Sequence, residues 1–217
     1  MTVASDHRVT DRVHQELRAQ IISGDLPAGT RLSVPALAQK LGVSRSPVRE
    51  AIVRLVQERL AREEPRRGAV VPEVSDRELI AIYEVREVLE GLATRLAVEN
   101  AGRRLIRQLE DLVQEQERAV ALSDRVAASE ADVAFHRLIR EAADNPEVVR
   151  MLDDVQTQVR MAMRTTQVTG GVTNAIADHR AILAAMDAGD PRAAEEAARA
   201  HISRLRHVLV EQGRENP

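Results

Sequence analysis

Apolar residues recur at three- and four-residue spacing through most of the chain, and the interruptions divide it into elements. Val13, Leu17 and Ile21 share one helix face, with Thr10 placed as its N-cap and Gly24 as its stop. After the turn Asp25-Leu26-Pro27-Ala28-Gly29, Ser33 can cap a second helix bearing Leu37 and Leu41. Gly42 supplies a tight turn, and Ser44 caps a third helix reaching about Glu58. Two short helices around a glycine turn predict a helix-turn-helix. Leu60 to Glu63 and Ala69 to Val71 then read as short strands around Glu64-Pro65-Arg66-Arg67-Gly68, a hairpin with a basic tip, or wing.

From Ser75 the pattern is helical throughout, and its punctuation predicts six helices: Ser75 to Asn100, Gly102 to Leu122, Asp124 to Ala143, Pro146 to Thr166, Val172 to Ala188, and Pro191 to Gln212. Asn145-Pro146 and Gly189-Asp190-Pro191 are helix-start signals, and Gly170-Gly171 is the expected flexible loop. The expected fold is mainly α: a winged helix-turn-helix over residues 1–74, then an all-α antiparallel six-helix bundle over 75–217.

Composition narrows the chemistry. There is no cysteine, so only His and carboxylate side chains remain as strong metal ligands. Tyr83 and Phe135 are the sole aromatics besides histidine, which suits packed aliphatic helices and argues against base-stacking on single strands. No run approaches 18 apolar residues and the N-terminus lacks a signal-peptide core, so the expected location is the cytoplasm, without membrane contact. The net charge of -3 hides an asymmetry: residues 1–74 hold twelve Lys and Arg against nine Asp and Glu, the rest nineteen against twenty-five.

In the third helix Val48, Ile52 and Leu55 bury one face and turn Arg45 and Arg49 outward, one turn apart. Ser44 and Ser46 stand at its N-terminus, where free N–H groups favour phosphate, while an arginine there can reach a guanine edge. Charge alone fits a solvated face equally well. The order of elements goes further, because residues 8 to 72 resemble the GntR family of bacterial repressors. The resemblance rests on Leu17-Arg18, Ile21, Gly24, Leu26-Pro27, Gly29, Leu32, Leu37-Ala38, the run Leu41 to Ala51, Leu55 and Arg67-Gly68. It implies that Ser44, Arg45, Ser46 and Arg49 touch DNA and that Arg67 and Gly68 place the wing in the minor groove. Where many members carry a polar pair opening the second helix, this chain has Val34-Pro35, a departure that bears on base contacts from that helix.

Asp132 and His136 lie four apart on one helix face, and His179 and His201 fall on two further helices. A bundle can bring such residues to one centre, although an exposed Asp-His pair with unrelated histidines has the same spacing. This segment, about residues 75 to 210, resembles the FCD ligand-binding domain of the FadR branch, through Tyr83-Glu84-Val85-Arg86, Leu89-Glu90, Asp132 to Leu138, Asn145-Pro146, and the stretch from His179 to His201. The resemblance implies a divalent metal on Asp132, His136, His179 and His201, Zn or Ni foremost with Mn or Fe as alternatives. Six helices point to the VanR-like subgroup. Arg86 is the expected partner of an effector carboxylate, with Arg160 and Arg164 as further candidates; the competing reading of Arg86 is a salt bridge to Glu90.

These features predict a homodimeric, ligand-responsive repressor rather than an enzyme, reading a palindromic operator and sensing a small organic acid in the bundle. Two rivals are a metal-dependent enzyme built on the bundle and a DNA-binding protein whose metal is purely structural.

Overall fold

The computed structural model describes residues 3–165 and 171–215. In chain order they form α1 (Val3–Ser23), α2 (Val34–Leu41), α3 (Arg45–Gln57), β1 (Arg62–Glu64), β2 (Gly68–Val70), α4 (Asp76–Asn100), α5 (Arg103–Ala121), α6 (Arg125–Ala142), α7 (Pro146–Thr165), α8 (Gly171–Asp187) and α9 (Pro191–Glu215). They fall into two compact units: one runs to Ser75 and takes in α7 from Thr157, and the other holds the remaining residues from Asp76.

In the N-terminal unit, Val13, Leu17 and Ile21 of α1 bury against Leu37 and Ala38 of α2 and Val48, Ala51, Ile52 and Leu55 of α3. The first helix starts earlier than its sequence suggests. Thr10 is no N-cap: it lies fully buried inside α1, where its hydroxyl donates to Glu50 Oε2 at 3.1 Å. A threonine read as a cap thus serves as a tie between helices. Ser33 and Ser44 do occupy N-cap positions, but neither side chain bonds its helix. Gly42, at φ 64°, makes the left-handed turn between α2 and α3.

The first wing strand is also displaced. Leu60 and Ala61 are buried, and their N–H groups both donate to Leu55 O, ending α3, so pairing begins only at Arg62. β1 and β2 pair antiparallel, with Arg62 opposite Val70 and Glu64 opposite Gly68. The stretch before α2 adds a third edge: Leu32 N–H donates to Ala69 O at 2.8 Å, and Val71 N–H to Thr30 O at 2.9 Å. This edge anchors the base of the wing.

From Asp76 on, the six helices lie close to the predicted limits, with α7 divided between the two units at Thr157. Side chains cap three starts: Asp124 accepts from Ala127 N–H, Asn145 from Glu147 and Val148 N–H, and Asp190 from Arg192 and Ala193 N–H. Gly170 lies outside the described residues, and Gly171 opens α8. Leu109 and Val113 of α5, Phe135 and Ile139 of α6, Ile182 and Met186 of α8, and Ala194 and Ala198 of α9 form the main core. On α4, a Cβ added at Gly91 would stand 2.5 Å from Arg199 Cγ, so the absence of a side chain there sets the approach of α9. No described helix is long and apolar enough to cross a membrane.

Candidate functional site

On α3, burial of Pro47, Val48, Ala51, Ile52 and Leu55 leaves Ser44, Arg45, Ser46 and Arg49 exposed at its N-terminal end. Three nearby arginines are engaged. Arg54 pairs with Asp11 at 2.6 Å, and Arg62 and Arg67 both reach Glu64, at 2.9 and 2.8 Å. Arg45 and Arg49 form no salt bridge among the described residues, nor do the exposed Lys40, Arg59 and Arg66. Two uncompensated guanidinium groups thus sit at a helix end whose open N–H groups and dipole are themselves positive. Ser46 Oγ donates to Glu50 at 3.4 Å, and Ser44 keeps its hydroxyl out of the helix cap. Arg67 and Gly68 are exposed at the wing, Gly68 at φ 77°. Beside Arg67, which Glu64 already holds, Arg66 is an exposed arginine at the tip that sequence reasoning did not single out. Val34 packs on the head core while Pro35 occupies the first turn of α2, so the departure at this pair places an apolar anchor where a polar contact could stand.

In the bundle, α6, α8 and α9 each turn one histidine inward. His136, His179 and His201 are 4, 0 and 1% exposed, and one ring nitrogen from each lies within 4.8 Å of the others. Ring centroids are 5.0 to 5.3 Å apart, and Phe135, the chain's one phenylalanine, stacks on His179 at 4.3 Å. Asp132 sits at the edge of this cluster, partly exposed, with Oδ1 3.6 Å from His179 Nε2. The other described histidines are elsewhere: His14 pairs with Glu58, and His207 with the Ser203 carbonyl.

Each ring is oriented through Nδ1. His179 Nδ1 lies 2.9 Å from Gln116 Oε1, His201 Nδ1 2.8 Å from Asp178 Oδ2, and His136 Nδ1 3.5 Å from Glu90 Oε2. These oxygens can only accept, so the proton belongs on Nδ1 and the lone pair on Nε2. All three Nε2 atoms are buried without a hydrogen-bond partner. Three bare imidazole nitrogens buried together, each with its tautomer fixed from behind, are what a divalent ion requires and are otherwise costly to bury. The triad therefore can hold a metal. Sequence reasoning found the three histidines but missed Gln116 and Asp178, whose signal is only a one-sided register on α5 and α8.

Two family models cover this layout. Residues 9–71 match "Bacterial regulatory proteins, gntR family", and residues 81–204 match the "FCD domain". The chain belongs to the GntR family. It is 28% identical over 195 residues to the "Probable D-xylose utilization operon transcriptional repressor" of Paenarthrobacter nicotinovorans, spanning 90% of this chain and 86% of that one. The gluconate operon transcriptional repressor of Bacillus subtilis is 37% identical over 134 residues, 62% of this chain and 55% of its own. Among solved structures, Escherichia coli McbR/YncC superposes with a TM-score of 0.73 at 28% identity, covering 94% of this chain and 98% of that one. This GntR chain is thus a ligand-responsive, DNA-binding transcriptional regulator and not an enzyme.

Beside the triad of this GntR regulator lies a buried charge pair. Arg86 Nε meets Glu90 Oε1 at 3.4 Å, and the guanidinium lies 5.5 Å from the Tyr83 ring centroid. Burial alone would raise the Glu90 carboxyl, but His136, Arg86 and Arg140 outweigh it and hold Glu90 ionised well below the usual range. Arg160 is exposed on α7, and the Arg164 side chain lies outside the described residues.

Burial, reinforced by the neighbouring His136 and Arg86, lowers His179 to about 2 and His201 to about 3. Folded-state values below the ordinary 6.5 mean that acid protonates the unfolded chain first. Their contribution to stability is complete above pH 6.5 and is lost as pH falls toward 3. For the metal-free protein, urea midpoints measured from pH 7 to 4 should drop steadily, roughly tenfold in folding constant per pH unit and histidine at most. A flat profile across that window would contradict the neutral, buried state of these rings.

Proposed function

We propose that this GntR regulator is a homodimeric repressor of a catabolic operon that reads a palindromic operator through α3 and the wing, and is released by a small organic acid sensed in the bundle. The relatives named for D-xylose and gluconate operons support a catabolic operon, and the gluconate one supports an acid. The observation that carries the DNA half is the pair Arg45 and Arg49, exposed and without a salt bridge, one turn apart at the N-terminal end of α3. Arg45 and Arg49 take base edges and Ser44 and Ser46 take phosphates at the start of α3, while Arg67 and Gly68 follow the backbone into the minor groove. Paired heads on a two-fold dimer read two half-sites.

In the bundle, His136, His179 and His201 hold a divalent ion, Zn or Ni first among the choices, with Asp132 as fourth ligand; nitrogen donors with one carboxylate suit these ions. The bound ion would supply a Lewis-acidic point to which a carboxylate can attach. Effector binding favours an arrangement of the dimer that fits the operator less well, so DNA and acid oppose one another by linkage.

Arg45→Ala is expected to weaken binding to the duplex that the wild-type protein selects from a random pool by about 1–3 kcal/mol, and to flatten base preference in the selected site. Arg54→Ala, which removes a neutralised arginine, serves as the control. Equal losses in both variants at fixed salt would mean that α3 contributes charge alone. If metal loading changes stability but no acid changes operator affinity, the ion is structural.

A further inference from the structure

Arg140 is a buried charge of the bundle that neither the histidine cluster nor the Arg86–Glu90 pair uses. It is 4% exposed, and its Nε and Nη1 are buried without a hydrogen-bond partner. Among the described residues no salt bridge reaches it. It stands on α6 one turn after His136 and so on the same helix face, and helical side chains lean back toward the preceding turn. Its charge acts on Glu90, the residue that faces His136 Nδ1.

Buried charges are normally paired, because desolvating an isolated guanidinium costs several kcal/mol. The other charges here are matched: Arg86 with Glu90, and Asp178 with Arg204 as well as His201. Asp132 offsets one charge of a divalent ion on the histidines. Arg140 is left over, so the loaded site carries two positive charges in excess. Arg86, the expected carboxylate partner, already has a carboxylate of its own.

We infer that Arg140, rather than Arg86, is the protein's anion anchor for the effector, and that the effector is a small dicarboxylic acid with one carboxylate on Arg140 and the other at the metal. This rests on the metal-dependent acid sensing proposed above. Four residues along a helix span about 6 Å, which a short carbon chain can bridge. A monocarboxylate leaves one of the two positive sites unmatched.

The test uses the full-length, zinc-loaded protein and calorimetric titration with the dicarboxylates from malonate to adipate, each against the monocarboxylate of equal length. At least one dicarboxylate should bind about tenfold or more tightly than its monocarboxylate partner, the scale of one charge-assisted contact. Arg140→Met should erase that preference, and Arg140→Lys should retain part of it. The second readout is the Tm of the acid-free protein. Arg140→Met should leave it unchanged or raise it, because an uncompensated buried charge has been replaced by an apolar chain of similar length; a residue with a structural role would lower it. Zinc-dependent binding of both acid classes with equal affinity, unaltered in Arg140→Met, overturns the role of Arg140 while metal-dependent sensing stands. Failure of every acid to bind, or a fall in Tm with selectivity intact, also overturns it. Failure of zinc itself to bind removes the sensing reading on which it rests.

Discussion

Zinc added to the chelator-stripped protein at about a thousand times its Kd should raise the Tm by roughly 8–16 °C, and His179→Ala should abolish most of that rise. Binding to the folded state alone contributes about 4 kcal/mol at that excess, and a domain of this size gains about 2–4 °C per kcal/mol. The expectation follows from the three Nε2 atoms, which are buried and bare before any ion arrives. Gln116, Asp178 and Glu90 have already fixed the tautomers, and His179 and His201 stay neutral far below physiological pH, so little is lost to proton competition. Gln116→Leu provides the finer measurement. With Nδ1 of His179 released, metal affinity should fall about 10- to 100-fold although no ligand has been removed. Differential scanning fluorimetry with zinc, nickel, manganese and iron checks the series, and no shift with any of them would rule out the metal centre.

The parts legible in the sequence are those governed by local rules. Helices α4 to α9 emerge because Asp124, Asn145 and Asp190 cap helices through their own side chains and Gly189 takes positive φ where α8 ends, as Gly42 does where α2 ends. The outward face of α3 is equally local, since its buried residues alone determine where Arg45 and Arg49 point. What resists sequence reading is nonlocal. Thr10 has the chemistry of a cap, yet its hydroxyl goes to a glutamate 40 positions away, and nothing near Thr10 announces that. The first wing strand begins late because Leu60 and Ala61 are claimed by the end of α3 and the head core.

The histidine triad falls between these cases. His136, His179 and His201 can be picked out through the resemblance to the FCD domain, since their spacing alone equally fits unrelated histidines. Asp132 shares the face of His136, but the geometry puts its oxygen at the margin of the cluster, 3.6 Å from one ring only. The supporting residues carry no motif. Glutamine on α5 and aspartate on α8 are common surface residues, and only the packed bundle gives them partners 63 and 23 positions away. A residue such as Arg140 is harder still, because its distinguishing property is the absence of a partner, which no periodicity encodes.

Glu90→Gln should destabilise the protein by about 3–5 kcal/mol in urea denaturation at pH 7, the cost of breaking a buried ion pair by removing one member. Glu90 is 2% exposed and is the carboxylate that Arg86 and His136 both approach and whose ionisation Arg140 also favours. Glutamine keeps the shape and one acceptor but removes the charge, so two guanidinium groups would remain in the interior without an opposing carboxylate near them. The size of the loss therefore separates charge from shape. If Glu90 served only as a hydrogen-bond acceptor for His136 Nδ1, the amide oxygen would replace it and the loss would stay near 1 kcal/mol. Arg86→Met combined with Glu90→Leu gives the complementary result, because removing both members of a buried pair together is often close to neutral. Recovery of stability in that double variant, with zinc affinity reduced through the loss of the His136 support, would assign Glu90 both tasks: balancing the interior charge and orienting a ligand. A double variant as unstable as Glu90→Gln would instead locate the defect in packing around α4.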